Sequence, residues 1–209
     1  MTAAIVHVDA ACIVADKSSG LLSVPGRGAD RQDCLAARVR ARFDDALVVH
    51  RLDMATSGLM LFARGPDVQR LLSRAFARRE VAKRYIAVVD GRLDREAGSI
   101  DLPLRADWPN RPRQQVDVAQ GKPSLTRYRV LAHDPLANTS RVMLEPVTGR
   151  THQPRVHLLA IGHPILGDAL YAPVAVQALA GRLLLHAESL TFMHPVDGQM
   201  LCVSHNSPF

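Results

Sequence analysis

Apolar positions along this chain fall mostly into short alternating or continuous runs, the signature of strands, and only three stretches repeat at helical spacing. The strand-like runs are Ile5–Val8, Cys12–Ala15, Ala46–Val49, Leu59–Ala63, Arg84–Val89, Thr126–Ala132, Arg141–Val147, Leu183–Leu190 and Met200–Ser204. Most are rich in Val, Ile, Leu or Tyr and are bounded by Gly, Pro, Asp or Ser. Of the helical stretches, Asp33–Phe43 aligns Leu35, Ala36, Val39 and Phe43. Pro66–Glu80 aligns Val68, Leu71, Leu72, Ala75 and Phe76, with Pro66 suited to the first helical position and Asp67 to the positive end of the dipole. A third helix is predicted over Pro154–Ile161. The chain shows neither an internal repeat nor a linker-like stretch, so residues 1–209 are expected to form one α+β domain: a mixed, largely antiparallel β-sheet with flanking helices.

Composition narrows the class. With 47% hydrophobic and 22% charged residues the 209-residue chain is neither disordered nor collagen-like. No apolar run approaches the ~20 residues of a membrane span, and MTAAIVHVDAAC lacks the basic-then-apolar order of a signal peptide. Cys12, Cys34 and Cys202 lie far apart without a CxxC, which argues for a reducing compartment and against a zinc ribbon. A soluble, cytoplasmic protein is expected.

Charge adds a partner. The net charge is +6, and of 26 cations only Lys17, Lys83 and Lys122 are lysines, so 23 are arginines, whose planar fork binds phosphate and stacks on bases. GC-rich coding accounts for that composition as readily as an RNA or DNA partner, so position has to decide. Between Pro66 and Arg84, six cations (Arg70, Arg74, Arg78, Arg79, Lys83, Arg84) face two acids, Asp67 and Glu80. Arg70, Arg74 and Arg78 repeat every fourth residue and so form one stripe on the helix. A solvated face is the ordinary reading of such a stripe. Like charges at that spacing disfavour an isolated helix, however, and this stripe has no interleaved acid, so it is read as a polyanion contact. A second basic patch, Arg105–Arg113, holds the only tryptophan within DWPNRPR and is predicted to be a loop, touching RNA or capping the sheet.

The chemistry concentrates in His50–Gly58, HRLDMATSG, which follows one strand-like run and precedes another. Loops at strand ends are common places for reactive groups. On local physics alone Asp-x-x-Thr-Ser-Gly is an ordinary turn, but a turn needs neither the His nor the Arg. Metal and nucleotide alternatives are weak. His152, His157, His163 and His186 follow no metal-ligand spacing and are read as polar contacts near the sheet, and the chain holds no P-loop, GxGxxG or GxSxG.

These nine residues closely resemble the signature of the RluA family of pseudouridine synthases. Further likenesses follow in order: DKSSGL at Asp16–Leu21, Lys83-Arg84-Tyr85, GRTHQPRVH at Gly149–His157, GHPILGDALY at Gly162–Tyr171 and LLLHA at Leu183–Ala187. The resemblance implies a pseudouridine synthase catalytic domain that isomerises a uridine in structured RNA with no cofactor and no metal. It implies Asp53 as the catalytic aspartate, Arg51 as the side chain filling the helix when the uridine flips out, Tyr85 as the aromatic stacked on uracil, and Arg155 as the base paired with the aspartate. Leu184 is expected to form the apolar wall under the uracil, with Leu185 its rival because strand phase is open. Arg70, Arg74 and Arg78 are expected to bind substrate phosphates. Pro154 stands where the family has Ile or Leu. A proline is tolerated in a first helical turn, so it is expected to open the helix and leave Arg155 in place.

The chain as given starts directly in catalytic-domain sequence, without the S4-like RNA-binding domain of several relatives. SVPG at Ser23–Gly26 and DWPNRP at Asp107–Pro112 look like the short, dual-specificity branch, whose members modify a tRNA anticodon stem-loop and a hairpin of large-subunit rRNA. A monomer acting on those RNAs is expected. The alternatives are a single-target tRNA or rRNA enzyme of the same family, a non-catalytic RNA-binding protein, and a nucleoside hydrolase or transferase. The second predicts loss of Asp53, Tyr85 or Arg155, and the third predicts no basic surface.

Overall fold

The structure, a computed structural model, describes residues 2–209. In chain order its strands and helices are β1 (Ala4–Val8), β2 (Cys12–Lys17), α1 (Leu35–Arg40), β3 (Ala46–Val48), β4 (Ser57–Arg64), α2 (Pro66–Ala77), β5 (Ala82–Asp90) and β6 (Ala97–Asp101). There follow β7 (Leu104–Ala106), β8 (Gln114–Val116), β9 (Leu125–Asp134), β10 (Thr139–Pro146), α3 (Gln153–Ala160), α4 (Val174–Gln177), β11 (Leu185–Met193) and β12 (Met200–Ser204). All nine predicted strands and all three predicted helices are present, several with ends shifted by a few residues. Three short strands (β6, β7, β8) and the single-turn α4 had no pattern long enough to announce them.

Two compact units divide the chain: one runs to Lys83 and includes His186–Pro208, the other is Arg84–Leu185 with Phe209. In the first, the strand order is β1-β2-β4-β11, with β3 also on β4 and β12 on β11. Every pairing there is antiparallel except β4 with β11, so the sheet is mixed as expected. Period-2 residues build its core: Cys12 and Val14, then Leu59, Leu61 and Ala63, then Leu190 and Phe192, with Leu72 of α2 packed on them. The intervening residues of β4, Met60 and Phe62, are buried too, so this strand is covered on both faces and reads as a continuous apolar run.

The second unit is an antiparallel sheet in the order β5-β10-β9-β6, with β7 and β8 forming a separate hairpin. The Arg105–Arg113 patch is therefore not all loop: Arg105 and Ala106 lie in β7, and the loop is the hairpin connection from Asp107 to Arg113. Pro154 sits in the first turn of α3 and leaves the helix intact. The residue before that helix, His152, has φ 55°, the left-handed conformation that swings the chain into the helix.

Candidate active site

Asp53 lies in the loop before β4, half-buried, between exposed Arg51 and exposed Met54. The Thr56 amide donates to its carbonyl at 3.1 Å, so the turn that local physics predicted is there. What a turn alone would lack is the clamp around it. Ser23 Oγ donates to the Leu52 carbonyl at 2.6 Å and accepts from the Leu52 amide at 3.0 Å. Ser19 Oγ donates to Ala55 O at 2.7 Å. Lys17 Nζ, fully buried, donates to the carbonyls of Ser18, Leu21 and Met54 at 3.0, 2.7 and 2.9 Å. The segment Lys17–Ser23 thus holds both flanks of Asp53 by side-chain bonds to its main chain.

The loop's other end is fixed by sheet contacts. Ser57 Oγ bonds His186 Nδ1 at 2.9 Å, and His186 Nε2 faces the His205 carbonyl at 3.0 Å. A carbonyl only accepts, so Nε2 carries the proton and Nδ1 accepts from the serine. Gly58 comes next, at φ 112°, and a Cβ there would meet Ala187 O at 2.3 Å. The parallel pairing of His186 with Ser57 and Ala187 with Gly58 therefore requires the Ser-Gly that closes HRLDMATSG and the His-Ala that closes LLLHA. Upstream, His50 stacks on Phe76 of α2 at 4.5 Å and accepts from the Leu61 amide at 2.9 Å. Burial first, and the Lys83 ammonium second, push its pKa down to about 3, so it stays neutral.

In the second unit Tyr85 is half-buried on β5, opposite Leu144 of β10. Arg155, on the first turn of α3, is only 3% exposed and forms a bidentate pair with Asp168: Nε to Oδ2 at 2.8 Å and Nη2 to Oδ1 at 2.6 Å. Asp168 Oδ1 also accepts the amides of Leu170 and Tyr171, and the Arg155 guanidinium lies 5.0 Å from the centre of the Tyr171 ring. Two planar forks locked together in a dry site fix the arginine's orientation. Sequence reasoning assigned no role to Asp168, although it is the only acid in GHPILGDALY and was signalled by that motif. Gln153, fully buried, satisfies all its polar capacity, accepting from Thr148 Oγ1 and the Arg150 amide and donating to Leu125 O and Thr126 Oγ1. Leu184 is half-buried, its amide bonded to Leu166 O and its carbonyl to the Val88 amide, whereas Leu185 is 2% exposed.

The histidines behave as polar contacts. His152 Nδ1 meets the Tyr171 hydroxyl, His157 joins Thr126 Oγ1 to Leu102 O, and His163 meets Asp90 O. His186 is grouped with Asp16 and His205 closely enough to hold a cation, but both its ring nitrogens already have partners.

The α2 stripe needs a correction. Arg70, Arg74 and Arg78 are exposed as expected, but the stripe is not free of acids: Arg70 pairs with Asp67, and Arg78 lies 4.0 Å from Glu80. Asp67 is one turn before Arg70, the i,i+3 spacing at which side chains meet on a helix. Arg78 caps the helix C-terminus, and the following turn, with Arg79 at φ 63°, carries Glu80 back toward it.

Residues 11–160 match the family of RNA pseudouridylate synthases. The chain belongs to that family. It is 50% identical over 200 residues to the dual-specificity RNA pseudouridine synthase RluA of Pasteurella multocida, covering 96% of this chain and 91% of that protein. It is 49% identical to the protein of the same name from Escherichia coli K12, covering 94% and 90%. Among solved structures, human RNA pseudouridylate synthase domain containing 1 superposes with a TM-score of 0.84 at 31% identity, covering 100% of this chain and 84% of that one. The fold is that of a pseudouridine synthase, and the chain is an isomerase acting on RNA.

Proposed function

We propose that this isomerase converts a uridine of a tRNA anticodon stem-loop and a uridine of a large-subunit rRNA hairpin to pseudouridine, as a cytoplasmic monomer in which residues 1–209 act as one catalytic domain. The observation that carries the catalytic assignment is the clamp on the Asp53 loop: three side chains of Lys17–Ser23 hold the main chain on both sides of one half-buried carboxylate. A reactive group must be held in place, and such a clamp lets one carboxylate meet a reacting carbon without reordering.

The reaction is balanced within the substrate. The N1–C1′ bond breaks, the uracil rotates, C5 bonds to C1′, and the hydrogen lost from C5 is matched by one gained at N1. Neither an electron acceptor nor an energy source enters the sum. The Asp53 carboxylate either attacks the electron-poor C1′, as glycosidase carboxylates do, or takes up the departing proton. Because a stacked base is out of reach, the uridine is flipped at a cost of a few kcal/mol. In this reading Arg51 fills the gap left in the RNA, Tyr85 stacks on the uracil, Leu184 lies under it, and Arg155 is the cationic partner of Asp53. The Asp168 fork fixes the orientation of the Arg155 guanidinium. Arg70, Arg74 and Arg78 take phosphates. The name of the relatives at half identity, a dual-specificity RNA pseudouridine synthase, supports more than one RNA target.

Incubating the purified chain with uridine, with an anticodon stem-loop and with the rRNA hairpin tests this reading. Pseudouridine should form in both RNAs and not from the nucleoside. Conversion of one RNA alone reduces the enzyme to a single-target synthase, and conversion of neither overturns the assignment.

A further inference from the structure

The hairpin loop between β7 and β8 has no part in the chemistry above, yet it is built with care. Its ends are tied by the Asp107 amide to Arg113 O at 3.0 Å and the Arg113 amide to Asn110 O at 3.0 Å. Asn110 Nδ2 donates to both oxygens of Asp107 at 3.2 and 3.0 Å. At the tip, Trp108 is 58% exposed, although an indole is among the most rewarding groups to bury. The Arg111 guanidinium lies 3.6 Å from the centre of its ring, and Arg111 Nε donates to the Trp108 carbonyl at 3.3 Å. The loop thus holds an aromatic plate in water, backed by a cation.

Beneath it is a cavity of about 470 Å³, lined by Arg105, Trp108, Gln120, Lys122, Arg150 and Thr151 among others. That volume lies in the range of pockets for small planar ligands. Arg105 is anchored by Asp117 and Gln120, while Lys122 and Arg150 are exposed. Three cations, Arg105, Lys122 and Arg150, line the recess, and Arg111 stands on the Trp108 ring. The far wall, Gly149–Thr151, is the segment that leads into α3 and Arg155. An exposed aromatic plate and a cationic recess roomy enough for a nucleotide form the combination that captures an unpaired nucleotide.

We infer that the Trp108–Arg111 stack and the cavity below it form a stacking subsite for a second, unpaired nucleotide of the substrate RNA, distinct from the target uridine. The inference rests on the proposed function for the identity of the RNA. Stacking reads a π-face and not a base edge, so the subsite selects single-stranded loops over duplex and tolerates different bases in the two target RNAs.

Trp108 is the only tryptophan, so its emission reports this subsite alone. The full chain is titrated with the anticodon stem-loop and with a duplex RNA of equal length at one salt concentration. Complex formation is followed by filter binding, and isomerisation of the stem-loop is measured in parallel. The stem-loop should change the Trp108 emission, and the duplex should bind without changing it. Trp108→Ala should weaken stem-loop binding by roughly 5- to 100-fold, the loss expected for one base–aromatic stack. Trp108→Phe should recover most of that loss, and duplex binding should be unaffected by either. Emission that is unchanged when the stem-loop binds, emission that responds equally to the duplex, or a Trp108→Ala variant that binds the stem-loop as the parent does would each overturn the subsite. Pseudouridine formed with silent emission refutes the subsite alone. Emission that responds while no pseudouridine forms refutes the proposed function and leaves the subsite standing.

Discussion

At Asp53 the side chain is supplied by the sequence motif, but its position is supplied by main-chain carbonyls that no motif describes. Lys17, Ser19 and Ser23 bind the carbonyls of Met54, Ala55 and Leu52, and these main-chain bonds survive replacement of the carboxylate. Asp53→Asn should therefore fold, bind the stem-loop within a fewfold of the parent, and make no measurable pseudouridine; turnover above about a thousandth of the parent rate in a single-turnover assay would remove Asp53 from the chemistry. His50, three residues earlier, gives a prediction of a different kind. Its pKa is depressed from 6.5 to about 3 in the folded protein, so below pH 6.5 the unfolded chain takes up a proton that the folded chain refuses. The resulting stability is complete above pH 6.5 and is lost as pH falls toward 3, by about 1.4 kcal/mol per pH unit from this residue. Urea unfolding at pH 7, 6 and 5 should show that slope in the parent and a shallower one in His50→Gln, and equal slopes would place the depressed titration elsewhere.

Elements show where sequence and structure part company. The strands with several alternating apolar residues and α2 were legible because each carries its own periodicity, and α3, buried nearly all round, was marked by the proline in its first turn. The strands β6, β7 and β8 were not: they have three to five residues, and only Ile100 of β6 and Leu104 of β7 are buried. The site motifs were legible as strings, while the reasons for their letters lay in partners distant in sequence. Ser57 is needed for His186, Gly58 for the carbonyl of Ala187, and Arg155 for Asp168. Gly58→Ala accordingly combines a positive φ with a backbone clash and should cost about 2–4 kcal/mol, read as a lowered denaturant midpoint. A midpoint within error of the parent would mean that β11 yields there. The stripe on α2 shows the reverse case, a pattern legible in sequence whose charges are partly answered in the fold. Arg70 and Arg78 have acids beside them and Arg74 has none within ion-pair distance among the described residues. Arg74→Ala should lower the slope of log affinity against log salt by just under one unit, and Arg70→Ala by less. Three unchanged slopes, with Arg78→Ala as the third, would return the stripe to a solvated face.

Across the whole molecule, each compact unit carries basic residues close in sequence to candidate site residues. In one, α2 follows directly from the strand that Asp53 precedes; in the other, the β7–β8 loop and Arg150 stand before Arg155. Among the described residues, the cations proposed to contact RNA lie on α2, in the β7–β8 hairpin and in the turn before α3. Single nucleic-acid modules bury only ~600–1,000 Å², enough for a hairpin and too little for an L-shaped tRNA read at both ends. RNA recognition at that scale favours a loop whose bases can splay, with the target flipped and a neighbour stacked. Two RNAs with nothing else in common then serve equally if they share the loop, and dual specificity needs no second binding site. The stem-loop should carry nearly all the recognition. A hairpin of about 17 nucleotides, sized to that footprint, should be modified within about tenfold of full-length tRNA in kcat/KM, or ~1.4 kcal/mol of transition-state stabilisation. Kinetics on both substrates at one ionic strength measure the ratio directly. A hairpin slower by a thousandfold or more would mean that the enzyme reads tRNA structure far from the anticodon loop, through surface that neither α2 nor the β7–β8 loop provides.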